Sequence, residues 1–206
     1  LSIEFPKLKE QCTFQEAKTV VKWLAQFHAD FLKLPPKGLW PVGSYWHLKT
    51  RPDEWKAMQE SPLKANASLL DEALNSSEFK TIIHGDAKVA NFCFNEDGSQ
   101  VSAVDFQYVG GGVGVKDLVY FLGSCLTEDE CQIYEQELLD FYFRELKLAA
   151  SDLSQNETDA LDQEWRQLYS VAWADFNRFL LGWMPTHQKL HAFALSKNEE
   201  ALRALK

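Results

Sequence analysis

The sequence predicts a mostly helical α+β fold with one small β insertion, and three observations carry that reading. Two segments open with capping-box signatures, Thr13-Phe14-Gln15-Glu16 and Thr127-Glu128-Asp129-Glu130, each followed by apolar residues at helical spacing. A third and longer helical pattern runs from about Glu157 to Trp183. The only short apolar runs punctuated by turn residues lie between Phe79 and Val104.

From the N-terminal side, Val20, Leu24, Phe27 and Phe31 predict a buried helix from about Thr13 until Pro35-Pro36 and Gly38, with its end near Leu34. Pro35 to Pro62 reads as irregular, with a short helical turn near Asp53 to Met58, and Ser61-Pro62 starts a helix reaching about Leu74. Phe79 to Ile83 is a strand-like run. Phe92 to Phe94 and Val101 to Val104 flank the turn Asn95 to Gly98 as a hairpin whose second strand delivers Asp105. Gly110 to Gly114 reads as a flexible connection, because no Gly-Lys-Ser or Gly-Lys-Thr follows to make a phosphate loop. A helix is expected from about Lys116 to Cys125. The next runs to about Ala149 with Ile133, Tyr134, Leu138, Phe141 and Tyr142 inward. After the long helix, which ends before Pro185, a last amphipathic helix fills the tail.

The 206 residues, 46% of them hydrophobic, suffice for a real core. A net charge of −9 argues against a nucleic-acid partner. Four cysteines without a Cys-x-x-Cys pair, no basic-apolar leader and no long apolar run point to a cytoplasmic protein with reduced thiols and no membrane segment. The chain opens on Leu1, as expected of a piece of a longer protein.

The residues that carry chemistry are His84-Gly85-Asp86-Ala87-Lys88-Val89-Ala90-Asn91 and, beyond the hairpin, Asp105-Phe106-Gln107. Phosphoryl transfer needs one carboxylate to orient the attacking hydroxyl, plus an amide oxygen and a second carboxylate for Mg²⁺ on the nucleotide phosphates. Asp86, Asn91 and Asp105 supply these three groups. Lys88, two residues after the base, can neutralise charge on the transferring group. A step of five residues from Asp86 to Asn91 suits a loop that turns both side chains toward one cation. A metal hydrolase is disfavoured because His84 has no histidine partner at ligand spacing, His47 and His187 being the nearest. Asp117, in the first turn of its helix, is accounted for by the helix dipole alone.

Together with Asp117-Leu118-x-Tyr120-Phe121-Leu122, these motifs resemble the aminoglycoside phosphotransferase and choline kinase superfamily, of protein-kinase-like fold. The Asp-Phe-Gln and Asp-Leu-x-Tyr-Phe-Leu elements most resemble its ecdysteroid-kinase-like branch. The resemblance covers about Thr81 to Gly123. It implies ATP and Mg²⁺ as cofactors, with Asp86 as catalytic base, Asn91 and Asp105 as metal ligands, Asp117 as a brace of the catalytic loop and His84 as scaffold. It also implies that residues 1–206 form a single C-terminal lobe, with the catalytic loop and hairpin at 79–109 and acceptor-side helices at 116–206. Nothing from Leu1 to Pro41 supplies the strands of a nucleotide lobe, so the chain is expected to be either a fragment, with that lobe a partner from the same protein, or a natural truncation that has lost much of its nucleotide site.

Two functions follow as expectations. The first is transfer of the ATP γ-phosphate to a small-molecule hydroxyl, choline-like, amino-sugar-like or steroid-like. The second is a kinase-like binding module without turnover. Trp165, Trp173, Phe176 and Trp183 are candidates for an aromatic cage around a quaternary ammonium, with helical core packing as the alternative. Asp162, Glu164 and Asp175 are candidates for an amino-sugar site, with a solvated acidic face as the alternative. Trp173 and Asp175 stand as the acceptor candidates.

Overall fold

A computed structural model describes residues 3–205. The long helix α1 (Phe14–Asp30) starts on the capping box, with Thr13 accepting from the Glu16 N–H and Glu16 returning the bond. It stops short of Leu34. Phe31 caps it, Lys33 turns left-handed at φ 63°, and the Lys33 N–H is spent on Lys80 O at 2.7 Å. That bond draws the chain across to β2 (Thr81–Ile83), which a straight helix to Leu34 would not reach.

Residues 31–51 are irregular, and α2 (Pro52–Ala57) is the helical turn foreseen near Asp53. The helix expected from Ser61 to Leu74 is two, α3 (Pro62–Ala65) and α4 (Ala67–Asn75). Asn66 breaks it at φ −101°, ψ 11°, and its side-chain amide donates to Pro62 O at 2.8 Å. Short polar side chains compete in this way with the helical ladder.

The strands form two small antiparallel sheets. In one, β1 (Lys7–Leu8), which was not foreseen, pairs with β3 (Phe92–Phe94), and β3 pairs with β4 (Val101–Ala103) in the expected hairpin. In the other, β2 pairs with β5 (Gly110–Gly112), Ile82 facing Gly111. This corrects the reading of the glycine run as a flexible connection. Gly110 to Gly114 are buried, and a Cβ on Gly110 would run into Trp40 O. The glycines are there for close backbone approach, one of the uses that strand glycine has.

Behind the sheets stand α5 (Val115–Cys125), α6 (Glu128–Ala149), α7 (Gln155–Trp183) and α8 (Ala192–Ala204). Capping boxes start α6 at Thr127 and α7 at Ser154, the second of which was not singled out. The helix α1 packs along α6, and α7 packs against α8, α5, α2 and α4. One expected inward residue of α6 is wrong: Ile133 is 68% exposed. The buried stripe is Cys131, Leu138, Leu139, Tyr142, Phe143 and Leu146. Ile133 lies two residues, about 200°, round the helix from Cys131. Among the described residues no helix is long and apolar enough to cross a membrane.

Candidate active site

The segment from His84 to Asn91 leaves β2, turns at Gly85 and ends in a short 3₁₀ turn at Val89–Asn91. Gly85 takes φ 80°, and a Cβ there would meet Tyr108 O and Ser44 N, so the position tolerates only glycine. Its carbonyl accepts the Tyr45 N–H at 3.2 Å.

Asp117 ties this loop to α5. Its Oδ2 accepts the His84 N–H at 2.6 Å, its Oδ1 accepts the Gly85 N–H at 2.9 Å, and His28 Nε2 lies 3.1 Å from Oδ2. Burial opposes the charge on Asp117, but the hydrogen bonds from His28 and the Gly85 N–H outweigh it and hold the carboxyl below its ordinary value. The other nitrogen of His28 is 2.8 Å from the Tyr142 hydroxyl. Asp117 is therefore far more than a dipole partner. His84 is a scaffold too: its Nε2 donates to Val104 O at 2.9 Å, its Nδ1 accepts the Asp86 N–H at 3.2 Å, and its ring lies 4.6 Å from that of Phe106. With both nitrogens engaged within the protein, His84 has none left for a metal.

Asp86 is 3% exposed. Its Oδ2 receives Lys88 Nζ at 3.1 Å and the Asn91 amide N–H at 3.0 Å, while the same amide reaches Asp86 O at 2.8 Å. The structure thus brings Asp86, Lys88 and Asn91 together. Asp105 follows the hairpin: the Val104 N–H donates to Asn91 O at 2.9 Å, which sets Asp105 one residue beyond Asn91's backbone partner. Asp105 is exposed and left-handed at φ 64°, a strain that clusters at functional sites.

These residues fit a magnesium nucleotide. With its amide nitrogen committed to Asp86, Asn91 turns its oxygen away from Asp86, and among the described residues neither that oxygen nor the Asp105 carboxylate has a hydrogen-bond partner. One amide and one carboxylate oxygen are hard donors of the kind Mg²⁺ takes while keeping water and phosphate oxygens as its other ligands. No group of three or more His, Cys, Asp and Glu that could hold a metal is present among the described residues; a phosphate-assisted Mg²⁺ does not require one.

Several site residues escaped the sequence reading. Tyr45 and Tyr120 stand beside Asp86, ring centroids 5.6 Å apart. Burial, then Tyr45 and Asp86, push the Tyr120 hydroxyl up; burial pushes Tyr45 up to about 12, with Asp86 adding to it. Ser124 on α5 accepts the Val89 N–H at 2.8 Å, anchoring the loop next to Lys88.

The acceptor candidates lie elsewhere. Trp173 is 0% exposed in the main core, with its ring against Gly123. Asp175 is spent on Arg178 at 2.8 and 3.0 Å and on Trp46 Nε1 at 3.1 Å, with Lys116 Nζ at 3.9 Å. Asp175 is committed to these partners, and Trp173, whose Nε1 has no hydrogen-bond partner among the described residues, is sealed from solvent. Trp165 and Phe176 are likewise buried, and Trp183 is half exposed at the far end of α7, so the four rings form no cage. Glu164 accepts the N–H groups of Glu78 and Phe79, and Asp162 pairs with Arg166 and Lys147. These acids brace the fold.

A mostly helical α+β chain with small antiparallel sheets, carrying Asp86 and Asn91 on one loop and Asp105 at the end of the hairpin that follows, has the form of a kinase-like protein. The chain belongs to the ecdysteroid kinase-like family, within the protein-kinase-like and choline kinase superfamily: that family's model matches residues 44–155, more than half of the sequence. Membership brings kinase-like phosphotransferases of small molecules as the class. No curated protein matches the chain.

Proposed function

We propose that the protein transfers the γ-phosphate of ATP to a hydroxyl of a small molecule. The carrying observation is the buried Asp86 carboxylate, fixed by Lys88 and Asn91 in a loop that Asp117 anchors from behind. Asn91 and Asp105 would hold Mg²⁺ on the phosphates of ATP, which when bound would supply the phosphoryl group. Asp86 orients the acceptor hydroxyl and takes its proton as the new O–P bond forms and the bond to the leaving diphosphate breaks. Lys88, 38% exposed along its side chain, reaches from Asp86 toward the transferring group and offsets its charge. A nucleotide lobe from the same protein would complete the site. Support for that placement comes from an apolar hollow of about 390 Å³ beside Asp105, lined by Phe27, Phe31, Leu34, Leu39, Phe106 and Val109.

The experiment is steady-state ATP turnover against a library of hydroxyl compounds, with any upstream lobe included. Asp86→Asn should keep the fold and lose about 10²–10⁴ in kcat. Lys88→Ala should lower kcat by about 2–4 kcal/mol while nucleotide binding weakens less. Parental turnover in Asp86→Asn would remove the mechanism. Absence of both turnover and nucleotide binding in the complete protein would leave the non-catalytic binding module.

A further inference from the structure

A second lysine stands at this site without an ionic partner. Lys189 belongs to the connection between α7 and α8, and the fold holds that connection firmly: the Lys189 N–H donates to His187 Nδ1 at 3.1 Å, and His191 caps α8 by accepting the Ala194 N–H at 3.2 Å. Its ammonium lies 4.6 Å from the Tyr120 ring centroid and 5.7 Å from that of Phe176. No carboxylate lies within salt-bridge distance of it among the described residues, whereas Lys88 is already paired with Asp86.

Lys189 also lines a cavity of about 330 Å³ together with Ser124, Cys125, Glu128, Gln188 and His191. Ser124 is the residue that accepts the Val89 N–H, so the cavity wall meets the catalytic loop at Val89, while Lys189 lies over the ring of Tyr120, the neighbour of Asp86. Of the carboxylates at the cavity, Glu128 accepts the Phe193 N–H at 3.1 Å and Glu10 is exposed. The volume sits at the small end of ligand pockets, about 300–1,000 Å³, and its walls are mainly polar side chains. A half-buried cation with no carboxylate within salt-bridge distance is costly to keep.

We propose that this cavity receives the acceptor and that Lys189 binds an anionic group on it, making the acceptor a compact hydroxy acid. The inference rests on the phosphotransferase reading. It gives the two lysines separate tasks: Lys88 serves the transferring phosphoryl group, and Lys189 holds the acceptor's acid so that its hydroxyl meets Asp86. A quaternary ammonium or an amino sugar would be repelled by Lys189. A bulky apolar ring system would find few apolar walls.

Lys189 provides its own reporter. Burial lowers its pKa to about 8, with Asp86 opposing the drop, Lys88 adding to it and Cys125 opposing it; a bound anion favours the ammonium and must raise that value. The test uses the full chain with its lysines ¹³C-dimethylated, the Lys189 signal being the one absent from Lys189→Arg. Glycerate, glycerol and choline are titrated in as probes. Glycerate should shift the Lys189 signal and raise its pKa by about one unit, while glycerol and choline leave it in place. By calorimetry, Lys189→Met should bind glycerate at least about tenfold more weakly than the parent, and Lys189→Arg nearly as well as the parent. The proposal is overturned if Lys189 titrates as an ordinary lysine, if glycerate leaves its pKa unmoved, or if choline binds as tightly as glycerate. The readout requires no phosphate transfer, so the two readings fail separately. Glycerate bound at Lys189 with no turnover of any alcohol would sink the kinase and leave the cavity assignment standing. Turnover of neutral or cationic alcohols with Lys189 unmoved would do the reverse.

Discussion

Replacing Asp117 with asparagine isolates the contribution of the brace behind the Asp86 loop. The carboxylate accepts from three donors, the His84 and Gly85 backbone N–H groups and His28 Nε2, and it is fully buried. Asparagine keeps one acceptor oxygen and turns an NH₂ toward the remaining donor. With the amide oxygen at the Oδ2 position, where it still takes the His84 N–H and His28, the Gly85 hydrogen bond to a charged group is lost outright, worth about 1.5–3 kcal/mol, and the two retained bonds lose their charge assistance. A domain of this size has about 5–15 kcal/mol to lose, so the variant should fold with its denaturation midpoint sharply lowered. Guanidinium unfolding followed by tryptophan fluorescence measures this, provided the m-value stays constant. The pH dependence has a fixed sign. The folded pKa of Asp117 lies below its ordinary value of 3.8, so its contribution is complete above that value and is lost only as pH falls through the lower folded pKa. The difference between parent and variant should therefore be level from about pH 5 to 8 and shrink only in strong acid. A loss below about 1 kcal/mol, the size of a single ordinary hydrogen bond, or a difference that vanishes near neutrality, would refute the brace.

Two further substitutions separate site residues from core residues. Asp105→Gly removes a side chain from a left-handed backbone position and should stabilise the fold by about 1 kcal/mol while weakening Mg-ATP binding in the complete protein, the trade expected of a strained functional residue; calorimetry with Mg-ATP and a melting curve read both effects, and unchanged nucleotide affinity would take Asp105 out of the metal site. Trp173→Ala should cost about 3–5 kcal/mol through the cavity it leaves, and a milder Trp173→Phe should leave the acceptor KM unchanged; a raised acceptor KM in a stable Trp173→Phe protein would return Trp173 to the binding site.

The parts legible in the sequence were those coded locally. Capping boxes at Thr13 and Thr127 and the turn between Phe94 and Val101 are decided by residues a few positions apart, and those helices start, and that hairpin turns, where expected. Asp86, Lys88 and Asn91 share one loop, so their spacing alone places them together. What escaped was built by contacts across the chain. Lys33 reaches Lys80 and so ends α1 early, and the glycines of β5 are explained by Trp40, Pro41 and Ile83, which lie far away in sequence. Lys189 has no pattern around it, because its place beside Tyr120 depends on how α7 returns along α5. Asp175 did carry a signal that was read the wrong way. An acid three residues before Arg178, on a helix face that also carries Trp165, Ala172 and Phe176, is better satisfied inside than held out to a ligand, and the two form a buried pair.

That buried pair bears on the site after all. Arg178 Nη2 donates to Trp46 O at 3.1 Å and Trp46 Nε1 donates to Asp175, while the Lys116 ammonium lies over the Trp46 ring at 5.4 Å. Burial lowers the pKa of Lys116, with Asp175 and Asp71 opposing the drop. The cluster fixes Trp46, and Trp46 fixes its neighbour Tyr45, whose N–H is bound to Gly85 O in the Asp86 loop. Asp117 holds the same loop from its other side, one residue after Lys116 on α5. A buried charge network seldom adds net stability over an apolar core, and its best-attested use is to specify one arrangement. Here it restrains the loop between α5 and the Tyr45 segment, and a loop restrained on both sides gives Asp86 a constant position relative to an incoming hydroxyl.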